Sequence, residues 1–140
     1  MSLQADDYEE IRQLLARYNF AIDFGHIDDW VETFVPEGKF SCVGLPEDAP
    51  LGGTHEGKDA LRSYAESHFG VNQGRARHWN WNLVIEGNGD TATMQCYLNA
   101  YSAGQGESAL FRVTGVYRDR LSRTESGWKF VEREVTIDPA

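Results

Sequence analysis

The order of the predicted elements indicates an α+β fold in which helices come first and strands second. Residues 8–22 carry apolar side chains at helical spacing. Residues 75–137 instead read as long strands separated by three hairpin-like turns in succession, which favours an antiparallel meander. We therefore predict three helices that cover one face of a curved sheet, in a single domain over residues 1–140.

The composition favours a folded globular chain and argues against two kinds of partner. Hydrophobic residues make up 41% of the 140 residues, and the net charge is -9 with a pI near 4.8. Such an acidic chain lacks the basic surface that nucleic-acid binding needs. No apolar run is long enough to cross a membrane, and residues 1–7 lack the features of a signal peptide. We expect a cytoplasmic protein that binds neither nucleic acid nor membrane.

Capping and breaking residues place the three helices. The first is predicted to begin at the acidic residues 6–7 and to end at Gly25. The second begins at residues 28–29 and is broken by the Pro-Glu-Gly sequence at residues 36–38. The third begins at Gly57, and its side chains at helical spacing are Leu61, Tyr64, Ala65, His68 and Phe69.

The remaining segments are predicted to be strands and their connections. Residues 39–43 form a first strand, and residues 44–56 form a loop that is either a mobile flap over a pocket or an ordinary surface connector. Four long strands follow, at about residues 75–86, 91–103, 107–121 and 128–137.

The stretch from Arg77 to Ile85 carries the most unusual chemistry of the chain. Strict alternation places His78, Asn80 and Asn82 on one face of a strand. A histidine and two amides need polar partners when they are buried, so this face suits the wall of a pocket; the alternative is a face that simply meets water. The opposite face bears Trp79, Trp81, Leu83 and Ile85.

The apolar face of this strand predicts a homodimer. If His78 points toward the helices, then Trp79, Trp81 and Leu83 point away from them and form a large exposed patch. Monomers rarely tolerate such a patch, so we predict a homodimer through the outer face of the sheet. A β-bulge would reverse the local facing and weaken this prediction.

Asp23 is the candidate partner of His78. It lies at the border of the first helix's apolar stripe, where a carboxylate is usually paired, although a solvated aspartate in a helix-terminal turn is the alternative. In a shared pocket, the carboxylate would accept a hydrogen bond from one ring nitrogen and fix the tautomer. The other nitrogen would remove a proton beside a substrate carbonyl and return it to a departing hydroxyl, without a metal or organic cofactor.

Further polar residues are candidates for binding the substrate. Tyr18 or Tyr101 would stabilise the enolate through a hydrogen bond, where negative charge develops. Arg133 would anchor a carboxylate or a polarised oxygen; equally, it would pair with Glu132 or Glu134 within the sheet.

Aromatic and histidine side chains are the remaining candidates for lining a pocket or binding a metal. Aromatic residues are expected first in the core, and some of them, including Trp30 and Tyr64, are expected to line the cavity and to favour a flat apolar substrate. The histidines show no pair at metal-ligand spacing, so we predict no metal site. We expect the other three histidines, His26, His55 and His68, at the surface or in loops.

Several motifs, spread over nearly the whole chain, resemble the SnoaL-like branch of the nuclear transport factor 2-like superfamily. They are Tyr18-x-x-Ala21-x-Asp23, Asp28-Asp29-Trp30-x-x-x-Phe34, Gly57, His78 with Asn82, Gly89-Asp90-x-Ala92, Gly115-x-Tyr117 and Gly127-Trp128-x-x-x-x-Arg133. The resemblance implies a cone-shaped α+β barrel, with three helices against a bent, largely antiparallel sheet that encloses a deep pocket.

The resemblance also implies a set of site residues. Dehydratase members of this superfamily, such as scytalone dehydratase and bile acid 7α-dehydratase, use a tyrosine and an aspartate on the first helix and a histidine on the sheet. Tyr18, Asp23 and His78 match these positions. The superfamily also hosts isomerases, cyclases and non-catalytic subunits, so fold follows from the resemblance more firmly than function.

The function implied is that of a cofactor-independent lyase or isomerase acting on a small hydrophobic cyclic carbonyl or hydroxyl compound. Arg133 falls on or next to a late arginine of the bile acid enzyme, whereas Asn99 and Tyr101 occupy the neighbourhood of one of its acids. Two alternatives stay open. A polyketide cyclase would use the same residues, and a ligand-binding or subunit-assembly module would share the fold without catalysis.

Overall fold

The structure, a computed structural model, describes residues 2–46 and 48–139. Within them lie three helices and six strands: α1 (Ala5–Phe24), α2 (Ile27–Glu32), β1 (Phe34–Val43), β2 (Gly53–Glu56), α3 (Lys58–Asn72), β3 (Ala76–Asn88), β4 (Thr91–Ser102), β5 (Leu110–Thr124) and β6 (Gly127–Ile137).

Helix α1 begins slightly earlier than predicted and ends where predicted. At its start, the backbone N–H of Gln4 donates to Asp7 Oδ2 at 2.9 Å, which completes a capping box. At its end, Gly25 adopts a left-handed conformation with φ of 75°. A Cβ at Gly25 would overlap the Phe69 ring of α3, so the glycine also lets the C-terminal ends of α1 and α3 pack closely.

Strand β1 is longer than predicted, and the predicted loop contains a strand. The segment 36–38, which we expected to break the second helix, lies inside β1, where the register with β6 shifts between Phe34 and Lys39. Strand β2 pairs antiparallel with β1. The expected flap at residues 44–56 is therefore shortened at its C-terminal side.

The six strands form one open sheet in the order β2-β1-β6-β5-β4-β3. All neighbouring strands are antiparallel except β1 and β6, which are parallel. The edges are β2 and β3, so the sheet is not closed into a barrel. The predicted α+β class, three helices packed on a mostly antiparallel sheet, is confirmed.

The core lies between the helices and the inner face of the sheet. Its largest fully buried apolar side chains are Trp30, Phe34, Phe130, Ile11, Leu61, Leu121 and Val31. Within residues 2–46 and 48–139, no helix is long and apolar enough to cross a membrane.

Strand β3 changes its facing at a β-bulge. Asn82 adopts a φ of 58°, and the register with β4 shifts just after Trp81. Trp79 and Trp81 lie on the outer face, 51% and 53% exposed, whereas Leu83 and Ile85 turn toward the core. The prediction that Leu83 shares the outer face with the tryptophans is wrong, because the extra residue of the bulge reverses the alternation.

Candidate active site

The C-terminal ends of α1 and α3 meet the start of β3 at one point, where Asp23 lies against His78. Asp23 Oδ1 is 2.5 Å from His78 Nδ1, and Asp23 Oδ2 accepts the backbone N–H of His78 at 3.1 Å. The two side chains are 7% and 14% exposed. One carboxylate therefore holds both the ring and the backbone of His78.

This arrangement orients the imidazole and assigns its tautomer. An ionised carboxylate can only accept hydrogen bonds, so we assign the proton of His78 to Nδ1, which donates to Asp23. In the neutral ring Nε2 is then the nitrogen without a proton, and no hydrogen bond engages it within the described part of the chain. It can accept a proton from a ligand and later return it.

A second side-chain pair joins α1 to β3 beside the first. Asn19 Nδ2 donates to Asn80 Oδ1 at 2.9 Å, and Asn80 Nδ2 donates to the Tyr97 carbonyl at 3.3 Å. Asn19 lies one turn before Asp23, and Asn80 lies two residues after His78. These two cross-links fix the polar face of β3 against the helix.

A second histidine, His68 of α3, lies next to His78. Its side chain is 4% exposed, and the two ring centroids are 5.3 Å apart. Burial, and secondarily the neighbouring His78, lowers the pKa of His68 to about 3. The expected surface or loop position of His68 is wrong, because His68 lies on the same buried helical stripe as Leu61, Tyr64 and Ala65.

Tyr18 lies deeper than His78. Its buried ring packs against Trp30, Phe34 and Phe130, with centroids 5.5, 6.0 and 5.5 Å away. Burial raises the pKa of Tyr18 to about 12, so the phenol stays protonated and can donate a hydrogen bond. Among the described residues its ring contacts are core contacts, and its action beside His78 stays a prediction.

Arg133 is fully buried and pairs with an aspartate that the sequence analysis missed. Its Nε donates to Asp119 Oδ1 at 2.8 Å, and its Nη2 donates to Asp119 Oδ2 at 3.2 Å. The guanidinium carbon also lies 3.8 Å from the centroid of the Tyr117 ring. The considered pairing with Glu132 or Glu134 is wrong, because adjacent residues of a strand point to opposite faces.

Trp30 of α2 and Tyr64 of α3 lie in the core between the helices and the sheet, and their role in binding a substrate stays a prediction. The rings of Trp30 and Tyr64 are 5.7 Å apart, and Tyr64 is 6.1 Å from the ring of His68. These aromatic side chains connect the core around Tyr18 with the two histidines.

Asn99 and Tyr101 lie on the outer face of the sheet. Asn99 is the cross-strand neighbour of Trp79, and the Tyr101 ring is 5.4 Å from the Trp79 ring. The residue opposite His78 on β4 is Ala100. The prediction that Asn99 and Tyr101 line the same pocket as His78 is therefore wrong, because directly paired residues share a face.

Neither of two surface cavities includes the Asp23–His78 pair. One, of about 360 Å³, lies on the outer sheet face beside Val84 and Arg118, and the other, of about 630 Å³, lies beside Arg17 of α1. Within the described ranges, no group of three or more potential metal ligands is found. The candidate site is thus defined by its buried polar groups.

Comparisons with known proteins agree with the fold and with the motifs. The SnoaL-like domain family matches residues 4–134, so the chain belongs to this family. An uncharacterized Mycobacterium tuberculosis protein is 29% identical over 136 residues, 95% of this chain and 86% of the relative. The predicted membership of the SnoaL-like branch is confirmed.

Solved structures show the same architecture. A Nostoc punctiforme protein of unknown function with a cystatin-like fold has a TM-score of 0.86 at 26% identity, covering 100% of this chain and 97% of that one. A candidate scytalone dehydratase from Novosphingobium aromaticivorans has a TM-score of 0.76 at 20% identity, covering 96% and 85%. At that identity, the second likeness concerns the fold alone.

Proposed function

We propose that this protein is a cofactor-independent lyase or isomerase acting on a small hydrophobic cyclic carbonyl compound. The observation that carries the proposal is the Asp23–His78 pair, in which one carboxylate orients a largely buried imidazole through both its ring and its backbone. General acid–base catalysis requires an imidazole held in one tautomer and orientation. The name of the Novosphingobium protein, a candidate scytalone dehydratase, points to dehydration for that protein.

Dehydration of a β-hydroxyketone illustrates the role of each group. His78 Nε2 takes a proton from the carbon beside the carbonyl, and the electron pair of that C–H bond forms the enolate. The enolate electrons then form the C=C bond as the C–O bond breaks, and the imidazolium gives its proton to the departing hydroxyl. One hydroxyketone becomes one enone and one water, and the enzyme is unchanged.

Stabilisation of the enolate is assigned to the tyrosine on α1. Tyr18 can donate a hydrogen bond, because its phenol stays protonated. The Arg133 guanidinium lies 4.5 Å from the Tyr18 ring centroid, and its charge is compensated by Asp119. We therefore propose Arg133 as a residue that positions Tyr18 rather than as an anchor for a substrate carboxylate.

Turnover of an α-tetralone with a hydroxyl β to its carbonyl tests the proposal. Loss of water, followed by tautomerisation, yields fluorescent α-naphthol. We expect His78→Ala to lower kcat by about 100- to 10,000-fold in a protein that stays folded, because Asp23 keeps its hydrogen bond from the backbone N–H of residue 78. His26→Ala is the matched control, because His26 is an exposed histidine at the start of α2. Equal turnover by His78→Ala and the wild type would overturn the assignment.

Product analysis with two substrates, the hydroxylated tetralone and an open-chain diketone, separates the two alternatives from this proposal. A polyketide cyclase closes a ring from an enolate by forming a C–C bond, so with an open-chain diketone it releases a cyclic product that mass spectrometry identifies. If the protein is a ligand-binding or assembly module, the wild type would bind the tetralone but release no naphthol.

A further inference from the structure

The Nδ1 atom of His68 is buried and has no hydrogen-bond partner among residues 2–46 and 48–139. Native proteins rarely leave a buried polar atom unpaired, so such an atom is a candidate for completion by a ligand or by water. The His68 ring is inclined at 39° to the His78 ring, with centroids 5.3 Å apart. The unpaired nitrogen therefore belongs to a ring next to the imidazole that the proposed chemistry uses.

The surroundings of His68 keep its ring uncharged. The titratable rings beside it are His78 and, at 6.1 Å, Tyr64, while the Asp23 carboxylate is engaged by His78. Burial lowers the pKa of His68 to about 3, and Asn72 donates to its backbone carbonyl rather than to its ring. A neutral imidazole offers one donor and one acceptor.

The cationic side chain next to His78 in sequence is already engaged. Arg77 Nη1 donates to the carbonyls of Gly74 and Ala76 at 2.8 and 2.7 Å, and its guanidinium lies 4.7 Å from the Phe24 ring centroid. Arg77 thus offers a ligand no free guanidinium, and the rings next to His68 are those of His78 and Tyr64. An anion beside His78 would lose its hydration next to the Asp23 carboxylate, so an uncharged ligand fits this position better.

We propose that His68 is a substrate-binding residue whose Nδ1 hydrogen-bonds the carbonyl or hydroxyl oxygen of an uncharged cyclic substrate. The inference rests on the proposed function and adds a residue that binds the substrate oxygen and a preference for uncharged rings over rings that carry a carboxylate. Tyr64 and His55, with ring centroids 4.8 Å apart, extend the row of rings along which a flat molecule would lie.

Calorimetric binding of α-tetralone measures this role apart from turnover, because this ketone has no hydroxyl to lose. We expect His68→Phe to weaken binding about tenfold, since one buried hydrogen bond is lost. His68→Asn, whose amide lies near the former position of Nδ1, should retain most of the affinity, and His26→Ala should retain all of it. A tetralone with a ring carboxylate should bind the wild type about tenfold more weakly than α-tetralone.

The outcomes separate this inference from the proposed function. Equal affinity of the wild type and a folded His68→Phe protein overturns the role of His68 and leaves the role of His78 untouched. Weaker binding by His68→Phe, together with unchanged turnover by His78→Ala, keeps the binding site and removes the proposed catalysis. If His68→Phe does not fold, equal affinity of His68→Asn and His68→Ala overturns the role. No binding of α-tetralone by the wild type, or equal binding of the carboxylate, overturns the substrate class.

Discussion

The two faces of β3 carry opposite chemistry in opposite surroundings. Toward the helices, its histidine and an asparagine are met by Asp23 and Asn19 of α1. Away from the helices, Trp79 and Trp81 are half exposed. A sheet with one covered face usually buries its apolar side and solvates its polar side. In the part of this strand before the bulge the arrangement is reversed, and the reversal is possible because α1 supplies complementary polar groups at matching positions.

Strands β5 and β6 repeat the contrast with ion pairs. Asp119 and Arg133 pair on the inner face, where both side chains are fully buried. Arg120 and Glu132, the next residue pair in the same register, bond on the outer face at 3.0 Å, where Arg120 is exposed to solvent. Both pairs join an arginine to a carboxylate across the same two strands, so comparing them measures the effect of burial on stability.

Breaking the inner pair is expected to have the largest effect on stability. Asp119→Leu leaves the buried Arg133 charge unpaired and should lower the free energy of unfolding by about 3–5 kcal/mol. Arg120→Leu is the matched control, which breaks the outer pair with Glu132 and should cost less than about 1 kcal/mol. Urea denaturation measures both variants. Equal losses would show that burial does not distinguish the two faces.

The exposed apolar side chains on the outer face of the sheet form the proposed homodimer interface. A fully buried aromatic side chain contributes about 150–250 Å² of buried area, so a patch of half-exposed side chains presents on the order of 500 Å². That area is a large part of the about 800 Å² that each partner buries in a standard interface. Arg118 and Glu134 lie beside the patch as cross-strand neighbours, so a two-fold related copy would meet both charges. The patch consists of Trp79, Trp81, Val84, Tyr97 and Phe111.

Removing one aromatic side chain from the patch tests the interface. Trp81→Ser should raise the Kd of the homodimer at least about 30-fold, the effect expected of a central aromatic contact. Val71→Ser on α3 is the control for loss of an equally exposed apolar side chain. Analytical ultracentrifugation measures both. A wild-type protein that is monomeric at high concentration would contradict the proposal. Turnover should survive in the monomer, because Asp23 and His78 come from one chain.

The smallest expected effect is the loss of stability between pH 7 and pH 6 that His68 causes, which is below about 1 kcal/mol. Its folded pKa of about 3 lies below the ordinary value of 6.5, so between these pH values the unfolded chain binds a proton that the native state excludes. Stability is therefore full above pH 6.5 and falls as the pH drops toward 3, by up to about 1.4 kcal/mol per pH unit. His68→Phe should remove this part of the acid sensitivity in urea unfolding. The same loss in both proteins would contradict a buried, neutral His68.

Local periodicity was sufficient to predict most of the elements. The helical stripe of α1 and the alternation around His78 placed both candidate residues on the correct elements, and Gly25 marked the helix end. The stripe of α3 also contained the signal for His68, because its spacing from Leu61 puts both on one face. The error was to expect a histidine on that stripe to be solvated.

Features that depend on strand pairing could not be predicted in the same way. The bulge at Asn82 is set by pairing with β4, and it reverses the facing of Leu83. The position of Tyr101 depends on the register that sets Ala100 opposite His78. Such registers follow from long-range contacts between strands, which no local sequence pattern specifies.

Strand register likewise decided the partner of Arg133. Alternation alone excludes its sequence neighbours, but the choice of Asp119 requires knowing which residue of β5 lies opposite. The Asp119–Arg133 pair could therefore be identified only from the pairing of β5 with β6.

The bond from the His78 backbone N–H to Asp23 has a consequence for how this protein avoids self-association. Strand β3 is one of the two edge strands of the sheet, and a free strand edge is a template on which another chain can add. Asp23 occupies one amide of that edge with a charged acceptor. The carboxylate proposed to act in catalysis thus also occupies a backbone donor with which an added strand would have to pair.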